Sequence, residues 1–313
     1  MVLSEIITIF AVETEQRPMK QEQITIQSLT TDEHVSVGYS DNDVVIIENV
    51  HNLMNPPSAR MHMNMLAICI NGRAQGNING KILSVNKNQV IVLPPNITMS
   101  DFLISPDFEF KAMFFTTRIL QSFLHEKISI WNEAMYIRHA YVQTLEERDI
   151  NFYSHFYEML RVCIDSAKDA PFRTEVIQSL LRASFLAMCG WMMQRGASED
   201  KEKPVSTSTG TQLFRHFLHL LETTEMKHRT VESYASELCV SAKYLSAVCK
   251  KNSGKTANEW ITEHVIEDIR YQLCHTDHTI KQICALLGFP NPSFFGKYVR
   301  EHFGMTPVQL RQL

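Results

Sequence analysis

The chain has 313 residues, 44% hydrophobic and 20% charged, with a net charge of −4. This is an ordinary globular composition, long enough for about two domains with sizeable cores. The net charge excludes a uniformly basic nucleic-acid binder but not a basic patch: residues 209–313 hold 12 Lys/Arg against 10 Asp/Glu, leaving the rest acidic.

The seven cysteines (69, 163, 189, 239, 249, 274 and 284) contain no C-x-x-C pair and sit mostly in apolar surroundings. They are read as buried reduced thiols, which fits a reducing cytoplasm. The run IITIFAV at 6–12 is too short for a signal peptide or a span, and no other stretch approaches transmembrane length. A cytoplasmic chain with no membrane contact is expected.

Residues 21–116 read as strands. DVVIIENV (43–50), MNMLAICING (63–72), GKILSV (80–85) and NQVIVLP (88–94) are short and rich in Val and Ile. Turn signals at Asn71-Gly72, Asn79-Gly80, Asn86-Lys87-Asn88 and Pro94-Pro95 separate them. Such spacing predicts a sandwich or small barrel.

The period then changes to helical. Residues 148–167 and 171–196 are predicted helices, the second with Pro171 in its first turn and Gly196 as its stop. Both are strongly apolar, so they are expected to pack on the strands, on each other or on a second copy of the chain. The polar segment 197–210 reads as a linker, and residues 211–313 as all-helical.

That last segment contains a repeat. Val231, Tyr234, Ala235 and Leu238 correspond to Ile280, Ile283, Cys284 and Leu287 at an offset of 49. Leu245, Cys249, Lys250, Gly254 and Thr256 correspond to Phe295, Val299, Arg300, Gly304 and Thr306 at an offset of 50. The unit is helix, tight turn, helix, glycine stop, with one residue inserted at the second turn. In the second unit Thr279 and Gln282 form a predicted capping box, Gly288 ends the first helix, and Asn291 and Pro292 start the next.

In the second helix of each unit, Leu245, Val248 and Cys249, and Phe295, Val299 and His302/Phe303, are predicted to face inward. Lys243, Ser246, Ala247 and Lys250, and Ser293, Gly296, Lys297 and Arg300, are predicted to face outward. A helix that enters a major groove needs small residues for close approach and Lys or Arg for phosphates and guanine edges. Between the units, residues 256–276 read as one helix of about 27 Å, near the roughly 34 Å separating successive grooves on one DNA face. Its Glu263, Glu267 and Asp268 are expected to point away from DNA.

Residues 211–311 resemble the AraC/XylS-type transcription regulators. The resemblance is carried by SAKYLSAVCKKNSGKTANEWI (241–261) and by TIKQICALLGFPNPSFFGKYVREHFGMTPVQLR (279–311). It implies two helix-turn-helix units joined by a long helix and bound to double-stranded promoter DNA. Transferred residue by residue, base contacts fall on Lys243, Ser246, Ala247, Pro292, Ser293, Gly296 and Lys297. Tyr244, Lys250, Lys251 and Arg300 become phosphate contacts. Cys249 and Val299 stand where phenylalanine is usual, and Val265 where the linking helix often has Arg. The strand-rich part resembles a cupin-type sensor barrel, on residues 78–100.

Metal-dependent cupins resemble each other in a His-x-His…Glu…His set, of which only His62, flanked by Met61, Met63 and Met65, has a counterpart here. On a strand the three Met share one face and His62 takes the other, a pattern of core or pocket lining. No metal, cofactor or catalytic constellation is assigned, and no enzyme activity is expected. The expected fold is α+β with two domains. A cupin-like sensor barrel (1–135) and a helical dimerisation region (136–196) are followed by the linker (197–210) and an all-α double helix-turn-helix domain (211–313). The expected function is sequence-specific transcription regulation, controlled by a small-molecule effector or by homodimerisation, with RNA polymerase as a further partner. The alternative is a cupin-fold enzyme or metal-binding protein with an accessory helical domain.

Overall fold

The computed structural model describes residues 22–31, 36–49, 58–167, 170–202, 208–224 and 230–312. The apolar run at 6–12, His34 and His51 lie outside the described residues.

Two sheets stack in the N-terminal half. One has five strands in the order β1 (Glu22–Ile24), β4 (Ser58–Met61), β9 (Ile97–Ile104), β6 (Arg73–Ile78), β7 (Lys81–Asn86). The other has six, in the order β11 (Val142–Thr144), β8 (Gln89–Leu93), β5 (Asn64–Asn71), β10 (Glu109–Phe115), β3 (Val44–Asn49), β2 (Ser36–Ser40). Helix α1 (Ile26–Thr31) lies between β1 and β2 in sequence. The four strands expected from the sequence are β3, β5, β7 and β8. The turn at Asn79-Gly80 has positive φ at both residues, +49° and +83°, as a two-residue hairpin requires.

Alternation along β5 explains the layering. Met65, Ala67 and Cys69 are buried between the sheets with Val45, Ile47, Leu93, Ile97 and Phe114. Leu66 and Ile68 point out of the sandwich, where Ile68 pairs with Lys111 and Leu66 with Met113 of β10. Met61, Met63 and Met65 are all buried, but β4 ends at Met61 and β5 begins at Asn64, so they do not form one strand face. His62 is exposed beside the Gln23 carboxamide.

After β10 the chain becomes mainly helical, from Thr117 onward. Helix α2 (Thr117–Leu124), a 3-10 turn (His125–Lys127), α3 (Ile128–Asn132) and a π turn (Glu133–Ile137) share one apolar cluster with Val44, Ile46 and Phe115 of the six-stranded sheet. Helices α4 (Glu147–Asp165) and α5 (Arg173–Glu202) follow. Helix α5 passes Gly196 and ends at Glu202, so the expected glycine stop is not one: an interior glycine costs about 1 kcal/mol but does not end a helix. Its segment Arg173–Gln194 is 22 residues with mean hydropathy 1.3, long and apolar enough to cross a membrane, contrary to the sequence expectation. Here its stripe Ile177, Leu181, Phe185 and Met188 is buried, with the Phe185 ring 4.6 Å from Phe115 and 5.9 Å from Phe123.

The C-terminal helices are α6 (Thr209–Thr223), α7 (Val231–Glu237), α8 (Ala242–Ser253), α9 (Ala257–His275), α10 (Ile280–Leu286), α11 (Pro292–Phe303) and α12 (Pro307–Arg311). One apolar cluster runs from Val44 and Phe115 on the sheet, through α2–α5, to Phe214, Tyr234 and Trp260. At the junction Tyr136 meets Trp260 edge-on at 5.3 Å, and His125 stacks on Tyr271 at 4.1 Å. Arg215 donates twice to the Glu133 carboxylate, at 3.1 and 2.8 Å.

All seven cysteines are free thiols. Cys69, Cys189, Cys249 and Cys284 are buried, and burial pushes the Cys189 thiol up to about 11 and Cys249 to about 12. Cys239 and Cys274 are exposed, which corrects the buried reading for those two.

Candidate nucleic-acid interface

The two repeat units are α7–α8 and α10–α11. In α7, Tyr234 and Ala235 are buried and Val231 and Leu238 half-buried; in α10 the matching Ile283, Cys284 and Leu287 are buried. Ser241 and Asn291 cap α8 and α11, each side-chain oxygen accepting from the N–H three residues on, at 3.2 and 2.8 Å. Pro292 occupies the first turn of α11. Gly254 and Gly304 stop both helices in the left-handed region, φ +76° and +71°. The Thr279–Gln282 capping box is formed, and Gly288 follows α10 at φ +78°.

The inward faces are as the repeat predicted, with Leu245, Cys249, Phe295 and Val299 fully buried. His302 differs: it is exposed and lies 4.3 Å from the Tyr298 ring, while Phe303 is half-buried under the Arg270 guanidinium at 5.0 Å.

The outward faces carry the predicted residues. Lys243, Tyr244, Ala247, Lys250 and Lys251 on α8 are exposed, with Ser246 half-buried beside them. On α11, Pro292, Ser293, Lys297 and Arg300 are exposed, and a Cβ built on Gly296 would meet nothing within 4 Å. Among the described residues, no carboxylate lies within 4 Å of Lys243, Lys250, Lys251, Lys297 or Arg300. Cations just outside these two helices are engaged. Lys255, 6% exposed, donates to Glu263 at 2.7 Å and lies over the Trp260 ring, and the Arg311 Nε donates to the Leu273 carbonyl at 3.3 Å. Structural cations are therefore spent internally, while those on α8 and α11 face solvent.

Two residues of this surface escaped the sequence reading. Phe294 is 46% exposed beside Ser293, although its neighbour Phe295 is core. Lys281 on α10 is exposed and has no ion-pair partner among the described residues. Counting positions from Phe295 would have placed Phe294 outside the buried i, i+4 stripe.

The linking helix α9 has 19 residues, capped by the Thr256–Glu259 box. The hydrogen bonds from Thr256, first its backbone and then its hydroxyl, hold the Glu259 carboxyl below its usual range. Its acidic side is not open to water: Glu263 and Asp268 are half-buried. Glu267 is buried against the N-terminal helices, and burial pushes its carboxyl up to about 7 despite Arg270 at 3.6 Å. The N-terminal helical layer supplies a packing partner that the repeat pattern alone does not reveal. Val265 is buried at the middle of the helix.

Residues 234–313 match the family model described as a helix-turn-helix domain. They form a helix-turn-helix domain. The regulatory protein PocR of Salmonella typhimurium is 35% identical over 82 residues, 26% of this chain and 27% of that protein. The lactose operon transcription activator of Staphylococcus xylosus is 28% identical over 97 residues, 31% of this chain and 35% of that protein. The matches thus span about a third or less of these relatives. An AraC-type regulator structure from Chromobacterium violaceum is 24% identical, covers 34% of this chain and 95% of its own, and has a TM-score of 0.29. A structure of ToxT from Vibrio cholerae is 14% identical, covers 89% and 97%, and has a TM-score of 0.30. The helix-turn-helix match lies on the two units whose outward cations have no ion-pair partner among the described residues.

Proposed function

We propose that the chain is a sequence-specific DNA-binding transcription regulator that places α8 and α11 in successive major grooves of promoter DNA. The observation that carries this reading is the double occurrence, in register, of a capped helix with an exposed face of small residues and unpaired cations. Lys243, Ser246, Ser293 and Lys297 supply donors for base edges, and Ala247 and Phe294 supply apolar contacts for thymine methyl groups. Tyr244, Lys250, Lys251 and Arg300 contact phosphates and fix the register. Pro292 and Gly296 offer no side-chain donor, so α11 reads shape and methyl groups more than hydrogen-bond patterns.

The N-terminal half acts as a cupin-like regulatory domain, and the chain works as a homodimer. Met159, Val162, Phe172, Val176 and Met193 on and between α4 and α5 are exposed large apolar residues at one helical layer, which supports a self-association surface. A small-molecule effector acts by binding one arrangement of the two halves better than the other.

Gel retardation of the full-length chain on its own upstream DNA tests the reading. Retardation whose affinity falls steeply with salt is expected. No retardation at low salt removes it.

A further inference from the structure

The interior of the sandwich is nearly full. The void between its sheets is about 70 Å³, walled by Phe102, Phe108, Phe110, Phe114, Met65 and Met99. A dry cavity of about 150 Å³ is what holds a benzene ring, so this interior admits no effector of useful size. The larger space lies outside it, between the outward face of the six-stranded sheet and helices α4 and α5, with a volume of about 350 Å³.

Three element faces build that cavity. The sheet contributes Leu66, Ile68 and Met113, the outward residues of the β5–β10 pair. Helix α4 contributes Ile150, Tyr153 and Tyr157 at spacings of three and four, and α5 contributes Leu181, Phe185 and Met188 at the same spacings. Native interiors leave few voids larger than a water molecule, so an apolar space of this size between packed layers is a place for something.

Two charged side chains line this wall, Lys111 and Glu158, and of these Lys111 is the one turned in from the sheet. Lys111 lies opposite Ile68 in the sheet register, half-buried, with its ammonium 3.6 Å from the centre of the Tyr157 ring. No carboxylate lies within 4 Å of it among the described residues; Glu158, also in the wall, is exposed and more distant. Burial lowers the Lys111 pKa, against the opposing influence of Glu109 and Glu158. The hydroxyls of Tyr153 and Tyr157 have no hydrogen-bond partner among the described residues. An ammonium held on a ring face with no ion-pair partner, and two phenol hydroxyls without hydrogen-bond partners, set in aliphatic and aromatic walls, are complementary to a molecule with an apolar body and one anionic end.

We propose that this cavity binds an apolar carboxylic acid, its body against α4, α5 and the sheet and its carboxylate on Lys111 Nζ. The site lies under the helices rather than inside the sandwich. Helix α5 touches α2 through the Phe185–Phe123 pair, and α2 contacts α9 of the DNA-binding half. An acid that seats α4 and α5 on the sheet therefore acts on the layer to which that half is docked. That consequence rests on the function proposed above; the binding itself does not, because it is read as ligand affinity and not as DNA retention.

The test measures affinity by calorimetry on the full-length chain with octanoate, octan-1-ol and octylamine, all below their micellar concentrations. Octanoate is expected to bind once per chain, at least tenfold more tightly than the alcohol and more tightly still than the amine. Lys111→Met, checked for an unchanged melting profile, is expected to erase the difference between acid and alcohol while retaining the alcohol. Ala74→Leu, which fills the space between the sheets, is expected to leave octanoate binding unchanged. The proposal is overturned if octanoate shows no saturable binding, if wild type and Lys111→Met bind it equally, or if Ala74→Leu abolishes it.

Discussion

Cys239 and Gly288 hold the same place in the two repeat units, and both adopt positive φ, +57° and +78°. Each follows the first helix of its unit; Ser241 then caps α8 two residues after Cys239, whereas Asn291 caps α11 three residues after Gly288. The extra residue is the insertion inferred from the change of offset. A side chain at positive φ is strained, and glycine is not.

The two turn positions should therefore respond oppositely to substitution. Gly288→Ala is expected to destabilise the chain by about 1 kcal/mol or more, with the left-handed backbone at that turn as the cause. Cys239→Gly exchanges relief of a similar strain for greater freedom of the unfolded chain, so it is expected to be neutral or slightly stabilising. Thermal melting of both variants checks the pair; equal losses would remove the strain argument.

Lys243 and Lys250 should separate specificity from affinity. Lys243→Ala is expected to lose about 1–3 kcal/mol at one base position. Lys250→Ala is expected to weaken all sequences alike and to lower the salt slope by about one. Binding-site selection with each variant, at two salt concentrations, distinguishes the roles.

Glu267 should make stability depend on pH. Burial holds its carboxyl at about 7 in the folded chain, above the ordinary 4.5. Between these values the folded state binds more protons than the unfolded state, so stability falls as pH rises from about 4.5 to about 7 and is flat above. Glu267→Gln is expected to remove that part of the decline and to raise the melting temperature at pH 8. The groups around it are Arg270, Asp268 and Arg118, the first and third of which favour the charged form. A melting series from pH 5 to pH 8 on both proteins decides the point.

Self-association is tested on the exposed helical layer. Sedimentation is expected to show a particle of twice the 36.1 kDa chain. Val162→Glu with Met159→Lys should return it to the monomer mass without lowering the melting temperature of the fold. A monomeric wild type sinks the homodimer.

Much of the C-terminal third was legible because its signals are local. A capping threonine and its glutamine, an Asn-Pro start and a glycine stop act within a few residues, and the i, i+3, i+4 stripe needs only the helix period. Strands β3, β5, β7 and β8 were legible for the same reason, through Val/Ile runs and Asn-Gly turns. Strands such as β9, ITMSDFLI, lack such a run and are set by pairing with β4 and β6. Helix α5 overran Gly196 because a glycine ends a helix only when the chain turns there.

By itself, the sequence determined the two units, their caps and most of the residues on their outward faces, Phe294 and His302 excepted, since each follows from periodicity and short-range hydrogen bonding. Only the tertiary structure decided which cations are spent: Lys255 is buried on Glu263, while Lys250, five residues earlier, is left free. It also decided that Glu267 is interior, that the sandwich is filled, and that the open space lies at Lys111. Each of these depends on groups far apart in the chain being brought together, and no local pattern encodes the distance between them.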